Sequence, residues 1–171
     1  MNREPVTRSL RAALISLYGA VAGFVRSDWP AVQMMSSDLQ SELDGTDEVL
    51  IIVALATLHC LEEGADDAEH LQPTTSAAAA REMLSIACQL CGTANPATVN
   101  SAAWRLDALR RGDHTAAADD LVRSKRLGAE IELIHGSIAL LAAVVTRRAL
   151  RSGRTPHSLA RDLCMAAAQT P

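Results

Sequence analysis

Aromatic residues are nearly missing: Tyr18, Phe24, Trp29 and Trp104 are the whole complement in 171 residues. Strands favour β-branched and aromatic side chains, so this scarcity argues against an all-β domain. It also argues against single-stranded nucleic acid as a partner, because such surfaces need aromatic platforms for bases. Cysteine is sparse too. Cys60, Cys88, Cys91 and Cys164 do not form the dense pattern of a disulfide scaffold. No charged start followed by a long apolar run marks a signal peptide, and the most apolar stretches, 49–61 and 138–145, fall short of the about 20 residues a membrane span needs. A cytoplasmic protein with no membrane partner is the expectation. Phosphate loops, dinucleotide fingerprints and nucleophile elbows do not occur.

What is abundant is alanine and leucine, 31 and 22 residues. Both are strong helix formers, and alanine allows helices to approach closely. Hydrophobic residues make up 49% of the chain and charged residues 21%, with a net charge of −4. That balance and length suit one globular domain spanning residues 1–171.

Capping and breaking residues divide the chain into about eight helices. Leu10, Leu14, Leu17, Val21 and Phe24 recur at spacings of three and four and predict a helix over 7–25. Ser27 or Asp28 caps a second helix, with Pro30 in its first turn, which stops near Asp44-Gly45. A third, over 46–61, is apolar nearly all round and reads as the buried central helix. An acidic, proline-containing loop over 64–75 precedes a fourth helix over 76–90. Asn95-Pro96 opens a fifth, to about Arg110. A sixth starts at Thr115 and runs with little interruption past Gly128 into a seventh, ending near Ser152-Gly153. Thr155-Pro156 opens the last, to about Ala168. The fold class is therefore all-α, a compact bundle.

The order of breaks repeats. Residues 16–32 placed over 101–117 match Arg26 with Arg111, Asp28 with Asp113 and Ala31 with Ala116, and the same offset of 85 puts Ala54-Leu55 on Ala139-Leu140. This suggests an internal repeat, 7–91 and 96–168, forming two similar four-helix halves related by a pseudo-twofold. The two central helices would then lie against each other, with Ala54, Ala56, Ala139, Ala142 and Ala143 permitting a close crossing. A homodimer through a helical face fits the same composition.

Four residues form the leading catalytic candidate: His59, Glu63, Glu132 and His135. If the central helices run antiparallel, the end of one meets the start of the other and these residues converge. Imidazole titrates near neutrality and a carboxylate fixes its tautomer, so such a group could move protons or bind a metal of unspecified kind. Glu132-x-x-His135 is half of a carboxylate-bridged di-iron motif, but the remaining ligands would have to come from Asp67 and His70 in the acidic loop and from Glu42 and Glu82. Cys88-x-x-Cys91 could be half of a zinc site with His59 and Cys60, or simply buried apolar cysteines. Its position at a helix C-terminus opposes a redox thiolate.

Charge is divided unevenly, with a net of −8 over 1–91 and +4 over 92–171. The basic groups are Arg105, Arg110, Arg111, Arg123, Lys125 and Arg126, and then Arg147, Arg148, Arg151 and Arg154. They read as solvated helix faces, since Asp119 and Asp120 would meet phosphates badly. Two functions fit the sequence. The first, preferred because catalytic motifs are lacking, is a helical binding module for a partner protein or a small apolar ligand held between the two halves. The second is a small enzyme with an acid–base or metal site on the central helices.

Overall fold

The computed structural model describes residues 4–63, 85–87, 89–90 and 95–169, and all its regular structure is helical. Seven helices have defined bounds: α1 (Glu4–Val25), α2 (Trp29–Glu42), α3 (Thr46–Glu63), α4 (Pro96–Arg110), α5 (His114–Ser124), α6 (Glu130–Arg151) and α7 (Pro156–Gln169). Residues 85–87 and 89–90 are also helical and belong to the expected fourth helix. The acidic loop with Asp67 and His70, the stretch holding Glu82, and Cys88 and Cys91 lie outside the described residues.

Two corners turn the chain by the same local chemistry. After α1 the Asp28 N–H bonds the Gly23 carbonyl, Ser27 takes φ +56°, and the Asp28 carboxylate accepts from the Ala31 N–H. After α4 the Asp113 N–H bonds the Ala108 carbonyl, Gly112 takes φ +74°, and the Asp113 carboxylate accepts from the Ala116 N–H. In each, a left-handed residue ends one helix and the next residue caps the following one. Serine bears in the first corner the strain that glycine avoids in the second.

The centre of the bundle is α6, which packs against α1, α2, α3, α4 and α7. Every residue from Leu133 to Val145 is buried. Glu130 and Glu132 in its first turn and Arg148 and Arg151 in its last complement the helix dipole and keep charge at the two ends. The expectation that the third helix is the buried centre is thus corrected. Despite its all-round apolarity, α3 lies to one side and leaves Ile51 46% and Leu55 56% exposed. The apolar run around residue 138 also extends further than expected. Among the described helices only α6, with 22 residues, is long and apolar enough to cross a membrane, and most of that length is buried inside the bundle. The expected continuity between the sixth and seventh helices is broken by a turn at residues 125–129.

Helix directions follow from the cross-links. The Thr46 hydroxyl donates to the Glu130 carboxylate at 2.6 Å, joining the first residues of α3 and α6. Further along, Val53, Ala54 and Thr57 line one small internal gap together with Ser137 and Leu140. The two helices therefore lie side by side and run parallel, which corrects the antiparallel arrangement. Helix α7 runs antiparallel to α1: Arg11 donates to the Ala168 carbonyl, and the Cys164 thiol to that of Ile15 at 3.8 Å.

Two contacts specify how α4 sits. A Cβ at Gly136 would lie 2.3 Å from Thr98 Oγ1 and 2.9 Å from the Thr98 carbonyl carbon, so only glycine admits the backbone of α4 here. Two turns along the same face of α4, Arg105 makes a buried ion pair with Asp120 of α5 at 3.0 Å, and the Ser101 hydroxyl donates to the same carboxylate at 2.8 Å. Burial pushes the guanidinium pKa down, and the Asp120 charge opposes that shift. Arg105 is consequently removed from the basic surface group assigned from sequence.

Gly136→Ala is expected to lower unfolding free energy by on the order of 1–2 kcal/mol, the overpacking cost less the helix-propensity gain. At Gly19 the added methyl meets the flexible Met35 thioether, so Gly19→Ala should be neutral or stabilising by up to about 1 kcal/mol. Urea denaturation of the pair separates backbone from side-chain crowding. Asp120→Ala should cost about 3–5 kcal/mol by leaving a buried cation, and Arg105→Met combined with Asp120→Leu should recover most of it in the same assay.

Candidate functional site

An open cleft of about 560 Å³ is walled by α1, α3 and α7 and reached by the end of α6. Its walls are mostly aliphatic. Leu10 and Leu14 come from α1, Ile52, Leu55 and Ala56 from α3, and Leu159, Leu163, Ala166 and Ala167 from α7. Leu10 is 43% exposed, and it faces the same cleft as the exposed Leu55. The helices meet closely elsewhere, but Ala56, Ala166 and Ala167 put methyl groups where larger side chains would fill the space.

Polar groups in this lining are few: Tyr18, His59, Arg148, Arg154 and Asp162. Arg154 lies in the turn between α6 and α7. Its Nη2 donates to the Ser158 hydroxyl at 3.1 Å and pairs with the Asp162 carboxylate. Ser158 and Asp162 follow Arg154 at steps of four, so one turn of α7 and the next hold the guanidinium in place.

The four candidates from sequence are not brought together. His59 is exposed and lines this cleft, with Glu63 the last residue of α3, four positions on. His135 is buried near the start of α6. Because α3 and α6 are parallel and in step at Thr46 and Glu130, the two histidines are staggered by eight residues, about 12 Å along the axes. Glu132 is exposed one turn before His135, and a Cβ at Gly128 would lie 2.0 Å from its Oε2, so that carboxylate folds over Gly128. Glu42 ends α2, where its carbonyl accepts the Ser9 hydroxyl, and Cys60 is buried. Among the described residues no three of His, Cys, Asp and Glu cluster as a metal site would require.

His135 instead completes an aromatic cluster. Its ring lies edge-on to Trp29 at 5.0 Å and to Phe24 at 6.5 Å, and Phe24 and Trp29 meet edge-on at 5.8 Å. Its Nε2 is buried with no hydrogen-bond partner among the described residues. Burial pushes the imidazole pKa below its ordinary value near 6.5, against the opposing charge of Glu132. The folded protein therefore holds the ring neutral at pH 7. A neutral, edge-packed imidazole here joins α6 to the corner between α1 and α2.

Sequence reasoning placed Arg154 in a basic group read as a solvated helix face, and it passed over Ser158 and Asp162 together with the apolar walls. The steps of four from 154 to 162 were visible, but an i, i+4 charge pattern is ordinary on a solvated helix. That Leu10 and Leu55 face one space depends on how three helices splay, which no single periodicity reveals.

The unfolded chain takes up a proton at His135 near pH 6.5 that the folded chain resists. Stability from the neutral ring is thus complete above that pH and declines below it, toward the depressed folded value. In His135→Phe the urea midpoint should fall less between pH 7 and pH 5 than in the parent protein. An equal fall in both would show that His135 does not contribute to the acid sensitivity. No protein-family model, curated protein or solved structure is found to match the chain.

Proposed function

We propose that the protein is a helical binding module that takes a small apolar ligand into the cleft between α1, α3 and α7. The observation that carries this is the cleft itself: about 560 Å³, walled by leucine, isoleucine and alanine, with Leu10 and Leu55 left open to solvent. Its size lies within the range that encloses small ligands, and its lining is apolar with a few placed polar groups, as in such sites. Exposing two leucines on one concavity forgoes hydrophobic stabilisation that an apolar guest would restore. The position also agrees with a ligand held between two halves, since α1 and α3 belong to the first half and α7 to the second. The matched corners at Asp28 and Asp113 support the reading of the halves as an internal repeat.

Ala166→Trp tests the site. Ala166 is exposed in the cleft wall, so the indole can occupy the cavity without displacing core side chains. The neutral dye Nile red should bind the parent saturably, and Ala166→Trp should weaken that binding at least about tenfold, about 1.4 kcal/mol, with the urea midpoint unchanged or raised. No saturable binding, or equal binding to both proteins, would overturn the proposal.

A further inference from the structure

We infer that a single water molecule is bound at the junction of α3, α4 and α6, held by Ser137, Thr57 and Arg105. The site is the small internal gap between these helices. It offers about 10 Å³, the room that one water needs, and three polar side chains line it. Ser137 belongs to α6 and follows Gly136, the residue that admits α4; Thr57 belongs to α3 and Arg105 to α4.

Ser137 is the group in need of a partner. Its side chain is 5% exposed, and its hydroxyl oxygen has no hydrogen-bond partner among the described residues. A helical serine can bond a carbonyl of the preceding turn, and this one does not. Leaving a buried hydroxyl unpaired costs more than a typical hydrogen bond returns. Thr57 supplies an acceptor. Its buried hydroxyl gives its hydrogen to the Val53 carbonyl at 2.6 Å, so it offers the gap only lone pairs. Arg105 supplies a donor. Its described bonds to Asp120 and Ser101 use Nε and Nη2, and none of them uses Nη1. Water accepts from the Ser137 hydroxyl and the Arg105 guanidinium and donates to Thr57. Three such bonds are the usual number for buried water.

Size and charge exclude other occupants. Asp120 compensates Arg105, so the gap has no net charge with which to hold an ion. The remaining lining, which includes Leu50, Val53, Leu106 and Leu140, is aliphatic and separates the site from bulk solvent. The bonds from Thr46 to Glu130 and from Asp47 to Lys125 tie the first turn of α3. Thr57 lies eleven residues beyond Thr46, about 16 Å along the axis. Water at Thr57 therefore fastens the far half of α3 to α4 and α6, behind the side that walls the cleft.

Oxygen-17 relaxation dispersion of the full chain detects water that stays bound longer than the protein takes to tumble. The parent should show such a signal. Ser137→Val puts carbon into the gap and should lower the amplitude by that of one water. Thr57→Val keeps the shape of the wall and removes the acceptor. There the residence time, read from the temperature dependence of the signal, should shorten about fivefold, the effect of one hydrogen bond. No signal in the parent, or equal amplitudes in the parent and folded Ser137→Val, would overturn the inference. Should Ser137→Val fail to fold, Thr57→Val decides, and an unchanged amplitude and residence time there would overturn it.

Discussion

A helix buried along thirteen consecutive residues has to be enclosed, and the enclosure of α6 from Leu133 to Val145 organises everything else here. Five other helices are arranged by the surface they offer it. The one side that must come closest, α4, meets Gly136, where nothing larger than hydrogen fits. Close approach there has a second consequence. With its inner face against α6, α4 turns Arg105 away from solvent, and a buried guanidinium needs a counter-charge, which Asp120 of α5 supplies. Packing at one glycine and pairing at one carboxylate therefore hold the same face of α4, two turns apart.

Much of this was legible in the sequence because it is local. Asp28, Asn95 and Asp113 each cap the helix that follows, and each cap bond satisfies an N–H that the first turn leaves open. Such signals act over three or four residues, so helix number and most helix limits follow from them. The arrangement is non-local and did not follow. Apolarity all round α3 suggested a central position, yet the longer α6 offers more continuous surface, and α3 is left with Ile51 and Leu55 in solvent. Direction was equally hidden. One hydroxyl–carboxylate contact, Thr46 to Glu130, aligns the starts of α3 and α6, and nothing in either residue alone announces it.

The candidate site inherited that error. Two histidines on neighbouring helices converge only if the helices are antiparallel, so reversing one direction separates His59 from His135. Each then takes the chemistry of its own surroundings. His135 lies among Phe24 and Trp29, where desolvation makes the neutral ring the stable form. His59 faces an open apolar cleft. The same residue type serves as packing in one place and as part of a lining in the other, and the difference is one of helix direction, not of motif.

Why the cleft persists is a matter of side-chain volume. Alanine-rich helices pack tightly where their axes stay close, but where they splay the methyl groups cannot bridge the gap. Ala56, Ala166 and Ala167 line the cleft together with leucines that do not close it. Larger residues at these positions would bury more apolar area and stabilise the bundle by about 25 cal/mol for each Å² removed from water. A void walled by aliphatic carbon but fitted with an arginine oriented by Ser158 and Asp162 differs from a simple packing defect, because orienting a guanidinium restricts a flexible side chain.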